Sequence, residues 1–120
     1  MATLQEVIQH IKSNYVADVT DSGQLKLEFN VGGDRTQLIF VHSAESMILI
    51  ASPFANNISS DLAFQAASDS LFGVKKMGDV FLLHHVIPIN DIDASEIEFG
   101  LKMLAIQADD VERKFGGDSF

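Results

Sequence analysis

The chain has 120 residues, 47% of them hydrophobic, and a mean hydropathy of +0.17, which gives one globular domain over 1–120 with a real core and excludes a disordered chain. Eight Lys and Arg stand against seventeen Asp and Glu for a net charge of −9, so binding to the phosphate backbone of a nucleic acid is disfavoured. Cysteine is absent, which excludes disulfides and thiolate metal sites and fits a reducing compartment. No basic region leads into an apolar run at the start, and the longest apolar stretch, Met47 to Ala51, is too short to span a bilayer, so a soluble, cytoplasmic protein is expected.

Thr3 followed by Glu6 has capping-box spacing, and Leu4, Val7, Ile8, Ile11 and Tyr15 recur along one face, which predicts a first helix. Val16 to Thr20 reads as a short strand, Asp21, Ser22 and Gly23 as a turn, and Leu25, Leu27, Phe29 and Val31 as the alternate residues of a half-buried strand. Gly32, Gly33 and Asp34 turn the chain into two more strands, Gln37 to His42 and Ser46 to Ser52, joined by a polar hairpin at Ser43 to Glu45. After Pro53, Ser59 or Ser60 caps a second helix expected to run to about Ser70, and its small residues Ala63, Ala66, Ala67 and Ser68 allow another backbone to approach closely. Leu71 to Lys76 and Asp79 to Ile89 form a second hairpin around Met77 and Gly78, with Pro88 marking where ladder pairing stops. Asp93, with Glu96 in capping-box spacing, opens a last helix, Ala94 to Phe115, which Gly116 and Gly117 end. The order α-β-β-β(-β)-α-β-β-α is an α+β layout, an antiparallel sheet flanked by helices without βαβ crossovers.

The last helix and the strand before it are apolar on two sides. At about 100° per residue, Ile97, Leu101, Leu104, Ala108, Val111 and Phe115 form one stripe, while Phe99, Met103 and Ile106 fall nearly opposite, with Glu98, Lys102, Asp109, Glu112 and Arg113 as a polar flank. A surface helix normally carries a single apolar stripe, so the second patch is expected to meet another protein surface. Burying each of its large side chains would stabilise such an interface by roughly 1.5–3 kcal/mol. The strands repeat the pattern. Phe81, Leu83, His85 and Ile87 point one way and Val80, Leu82, His84 and Val86 the other, while Leu38 to Val41 and Met47 to Ile50 are apolar throughout. An antiparallel sheet of a small domain usually leaves one face wet; here the second face needs a helix of the same chain, a twin subunit or a bound peptide to cover it.

The chain resembles the YbjN family, whose fold is that of the type III secretion chaperones. The residues that carry the resemblance run from Phe72 and Gly73 through the hairpin Met77, Gly78, Asp79 and Val80 to Leu83, then Gln107, Ala108 and Asp109 of the last helix and the closing Gly116, Gly117 and Asp118. The resemblance covers nearly the whole chain, in its element order, size and acidity. It implies a homodimer built on an antiparallel sheet flanked by helices and a non-enzymatic binding of other proteins, as secretion chaperones bind extended segments of their effectors; YbjN members have a loosely defined regulatory role. The chain departs from the chaperone pattern in being short and in its additional strand at Val16 to Thr20.

Candidate chemical sites each have a simpler structural reading. His84 and His85 are adjacent on a strand and point to opposite faces, so they cannot grip one metal together, although His42 could join one of them. Gly32, Gly33 and Asp34 lead into a strand and not a helix N-terminus, so they make a turn and not a phosphate cradle. Asp91 and Asp93 lack the further ligands and the glycine of a calcium loop. Ser59, Ser60, His42 and His84 have no Gly-x-Ser-x-Gly elbow around them. His10 and Gln107 receive no role. No catalytic residue, metal or cofactor is expected. The expected function is a homodimeric, protein-binding module of chaperone or adaptor type, with Phe99, Met103 and Ile106, together with Phe64 and Ala67 of the second helix, at the partner or dimer interface, and with neither nucleic acid nor membrane as partner. The alternative is a ligand-responsive regulatory domain with a small-molecule pocket.

Overall fold

The apolar segments become six strands, β1 (Val16–Val19), β2 (Leu25–Gly32), β3 (Arg35–Ala44), β4 (Met47–Asn56), β5 (Gly73–Met77) and β6 (Val80–Pro88), with helices α1 (Leu4–Asn14), α2 (Ser60–Ala66) and α3 (Ala94–Arg113). This computed structural model describes residues 4–19, 24–32, 35–44, 46–88 and 94–115. The expected turn at Asp21 to Gly23, the residues Gly33, Asp34 and Glu45, the caps Thr3 and Asp93, Asp91, and the closing Gly116 to Asp118 lie outside the described residues. Among the described residues the strands form one antiparallel sheet in the order β1-β2-β3-β4-β6-β5. This is the α+β order that the sequence pattern predicts. At the β5–β6 turn Met77 pairs with Val80 and Gly78 alone of the two loop residues has a positive φ, 61°, the type II′ pattern that glycine at the first loop position allows.

Several boundaries differ from expectation: β3 takes in Arg35 and Thr36 and, at its other end, Ser43 and Ala44 of the expected hairpin, and β5 starts at Gly73 and not at Leu71. Two larger differences have physical reasons. β4 does not stop before Pro53 but runs on to Asn56. Its ladder with β3 ends at Phe40↔Ala51, and side chains bridge the widening gap: Ser52 Oγ donates to the Leu38 carbonyl and Gln37 Nε2 to the Pro53 carbonyl, both at 2.6 Å. The Pro53 carbonyl thus faces β3, and the N–H that proline lacks would have faced the same gap, so no ladder bond is lost. A register shift between Pro53 and Ala55 then turns Phe54 into the core, 6.5 Å from the Phe81 ring.

α2 ends at Ala66, short of the expected Ser70. It starts as predicted, with Ser59 Oγ accepting from the Leu62 N–H at 3.2 Å. Beyond Ala66 the chain is drawn to α3: Ser70 Oγ and the Leu71 N–H donate to Gln107 Oε1 at 2.9 and 2.8 Å, and Lys114 Nζ donates to the Ala66 carbonyl at 2.6 Å, a cation at a helix C-terminus. Gln107, a helix residue with no role expected from its sequence neighbours, therefore pins the α2–β5 connection. α3 itself gives way after Arg113 to a tighter turn in which the Lys114 and Phe115 N–H groups bond three residues back.

All three helices lie on one side of the sheet. Ile97, Leu101, Leu104 and Ala108 of α3 share one buried cluster with Leu27, Ile39, Ile50 and Leu83 of the strands, and Ile11 of α1 with Ala63 and Ala67 of α2 join it. Gly100 permits close seating, since a Cβ there would stand 3.5 Å from Ile87 Cδ1 and 3.7 Å from Ile50 Cδ1. His10 Nε2 and Glu98 Oε1, 2.9 Å apart, tie α1 to α3. Beside them, burial pushes the Tyr15 hydroxyl above its ordinary pKa, and the Glu98 carboxylate adds to the rise.

Candidate functional site

The register fixes what the two sides of the sheet display. Val41, Ile50 and His85 are cross-strand partners on the helix side, and Phe40, Ala51 and His84 are partners on the other. On that other side stand Leu38 and Phe40 of β3, Leu49 of β4 and Val80 of β6, half-buried and outside the core cluster. Because the helices pack opposite, no helix among the described residues covers them. The two-sided apolar pattern of the strands thus resolves into one covered and one open face.

A groove of about 320 Å³ runs along β4 on the open face, at the small end of the range for ligand clefts, about 300–1,000 Å³. Its origin is a difference in side-chain size between neighbouring strands. β4 turns Ala51 and Pro53 outward as the floor, while Leu38 and Phe40 on β3 and Leu82 and His84 on β6 form the walls. Gly73 helps to keep the floor open: a Cβ at that position would meet His84 Nε2 at 3.0 Å, so the imidazole leans over the glycine and away from β4. Leu82 lies between Pro53 and Lys75 in one cross-strand row and is only 4% exposed, in keeping with a lysine stem covering its neighbour. Among the described residues the polar lining comes from Lys75, His42, His84 and Gln24, with no carboxylate, although the chain carries seventeen.

The expected interface residues are dispersed. Phe99 is 66% exposed, Met103 and Ile106 are half-buried, and Phe64 is 57% exposed. Ala67, at 5%, is buried in the chain's own core. α2 is anchored to Gln107 and Lys114, about two and four turns along α3 from Phe99, so Phe64 and Phe99 do not share one patch. The groove residues were visible in the sequence as the continuous apolar runs Leu38 to Val41 and Met47 to Ile50 and as the Val80, Leu82 and His84 side of a later strand; the relief that makes a groove was not.

The expected polar flank of α3 is corrected at two positions, since Asp109 and Glu112 are buried. Asp109 Oδ1 accepts from Arg35 Nη2 at 2.6 Å and Nε at 3.2 Å, and Arg113 Nε lies 3.2 Å from Oδ2. Arg113 stands four residues on along the same helix, a spacing legible in sequence; Arg35 comes from β3, a contact only the fold makes. His85 points to the helix side, edge-on to the Phe72 ring at 5.4 Å, while His84 and His42 both line the groove. Among the described residues no group of three or more His, Cys, Asp and Glu could hold a metal ion, and no helix is long and apolar enough to cross a membrane. In comparison with known proteins, the chain matches no family model and no curated sequence.

Proposed function

We propose that the chain is a non-enzymatic protein-binding module acting as a homodimer in the cytoplasm, chaperone- or adaptor-like, in the manner of the YbjN family and the secretion chaperones that its sequence resembles. The observation that supports this reading most is the open sheet face. Where an antiparallel sheet meets water it normally turns polar residues outward, whereas this face turns out the half-buried Leu38, Phe40, Leu49 and Ala51 around a buried Pro53, a contiguous apolar surface of the kind that marks association sites. Phe99, with Met103 and Ile106 beside it on the far side of the molecule, is then left for a client. The test is the mass in solution by light scattering at low micromolar concentration: a dimer is expected, and a monomer overturns the reading. The double variant Phe99→Asp, Met103→Asp is expected to remain folded and dimeric while losing client capture; if it unfolds, this patch is core and not a docking surface.

A second reading, a ligand-responsive regulatory domain, draws on the groove itself, whose apolar floor is met by Lys75, His42 and His84. Pockets that bind small molecules combine apolar walls with a few convergent polar groups. A saturable rise in melting temperature with one member of a metabolite panel, on a chain that remains monomeric, favours it over the first.

A further inference from the structure

If the chain is a homodimer, as proposed above and as this inference requires, the open sheet face carries both the relief and the charge to say how the copies meet. A ridge and a groove lie side by side on it. Leu38 and Phe40 rise from β3, and the next strand offers Ala51 as the partner of Phe40 and Pro53 alongside Leu38. A ridge adjoining a groove of equal length is self-complementary under a twofold axis between them, because the rotation sets each ridge into the other copy's groove. We infer that two copies pack face to face about a twofold axis running between β3 and β4, parallel to the strands, with each Phe40 seated over the other copy's Ala51.

Charge selects the same axis. Lys75 lies on β5, at one end of the strand order, and Asp18 and Glu28, flanking Lys26, lie on β1 and β2 at the other. Asp18, Lys26 and Glu28 share the open face, since Lys26 pairs with Phe40 and with Asp18, and Glu28 pairs with Leu38. Rotation about the parallel axis brings each Lys75 over the other copy's β1 at the Val16 position, one strand from Glu28 and two residues from Asp18. The alternative in-plane axis, perpendicular to the strands, would lay ridge on ridge and set the two lysine-bearing strands over each other. Six strands at about 4.8 Å spacing with about 20 Å of paired length present roughly 600 Å² per copy, so about 1,200 Å² is buried in all, at the lower end of specific interfaces. The dimer is thus expected to exchange with monomer and not to be permanent.

The absence of cysteine makes single introduced thiols unambiguous reporters. Packed sheets stand about 10 Å apart, beyond the reach of a direct disulfide and within that of a short bis-maleimide. Full-length Lys26→Cys and His84→Cys proteins, whose positions lie one strand beyond Phe40 and Ala51 in the same cross-strand row, are mixed and treated with the cross-linker. Under the parallel axis the thiols of a mixed pair stand about 10 Å apart and those of two like copies about 17 Å, so the mixture is expected to give a cross-linked pair in large excess over either protein alone; a product as abundant from His84→Cys alone selects the perpendicular axis and overturns the proposal. In sedimentation equilibrium, Lys75→Glu is expected to weaken the dimer by about tenfold, and Lys75→Glu with Glu28→Lys to recover it. Phe40→Asp is expected to be monomeric and to remain folded, with a circular dichroism spectrum unchanged from that of the parent chain and a melting temperature lowered by the lost association. An unmodified chain that is monomeric at low micromolar concentration overturns the homodimer reading together with this one. A dimer that survives Phe40→Asp and Lys75→Glu, without the mixed cross-link, leaves the homodimer standing and overturns only its assignment to this face.

Discussion

On the helix side of the sheet Leu27, Ile39, Ile50 and Leu83 are fully withdrawn from water, whereas Leu38, Phe40, Leu49 and Val80, on the same strands, stay half-exposed. The two sets are chemically alike. What separates them is that Ile97, Leu101 and Leu104 of α3 close over the first and no helix among the described residues closes over the second. Apolar character therefore shows which residues seek cover, and only the placement of the helices shows which of them find it within one chain.

The largest expected effect sharpens this contrast directly. Leu104→Ala removes a fully buried side chain and should cost about 2–5 kcal/mol, through lost transfer energy and the cavity left behind. Leu49→Ala on the open face should cost less than half of that when measured by urea denaturation at a protein concentration low enough to hold the chain monomeric. Equal losses at the two sites would show that the faces are not distinct in the free chain. Asp109→Ala follows. It strips the carboxylate from between Arg35 and Arg113, and because Arg35 is itself partly exposed the expected loss is about 1–3 kcal/mol, read from the same denaturation curves; an unchanged midpoint would make the pair a surface contact of no consequence.

The smallest effect concerns pH. Tyr15 has its hydroxyl pKa raised above 10.0 in the folded chain, by burial and then by Glu98, so the folded state keeps a proton that the unfolded state releases. The resulting stabilisation is complete below pH 10 and is lost as pH rises through the folded-state pKa. Tyr15→Phe should flatten the decline of stability above pH 10 in thermal melts; an unchanged slope would assign that decline to other groups.

The elements and their order were legible because alternation and capping are local signals: β2 shows in Leu25, Leu27, Phe29 and Val31, and α2 opens at Ser59 as its sequence predicts. The opposite facing of His84 and His85 was legible for the same reason. What stayed hidden depends on partners distant in sequence. The extension of β4 through Pro53 needs the side chains of Gln37 and Ser52 to bridge to and from β3. The early end of α2 needs Gln107 and Lys114, and the burial of Asp109 needs Arg35. Of the site, the excess of apolar surface was legible in the runs at Leu38 and Met47. Its groove was not, because a groove arises from Ala51 standing between Phe40 and His84 on neighbouring strands, a relation that no single segment contains.

β1 and β5 form the rims of the sheet, where a row of peptide groups has no neighbouring strand among the described residues. Such rims invite further strands and, through them, fibrous aggregation. β1 is only four residues long, and β5 places Lys75 and Lys76 in succession, one ammonium on each side of the sheet. A second copy's β5 pairing there would bring like charges together on both sides, so growth of the ladder from β5 to β5 is opposed while stacking on the open side is not.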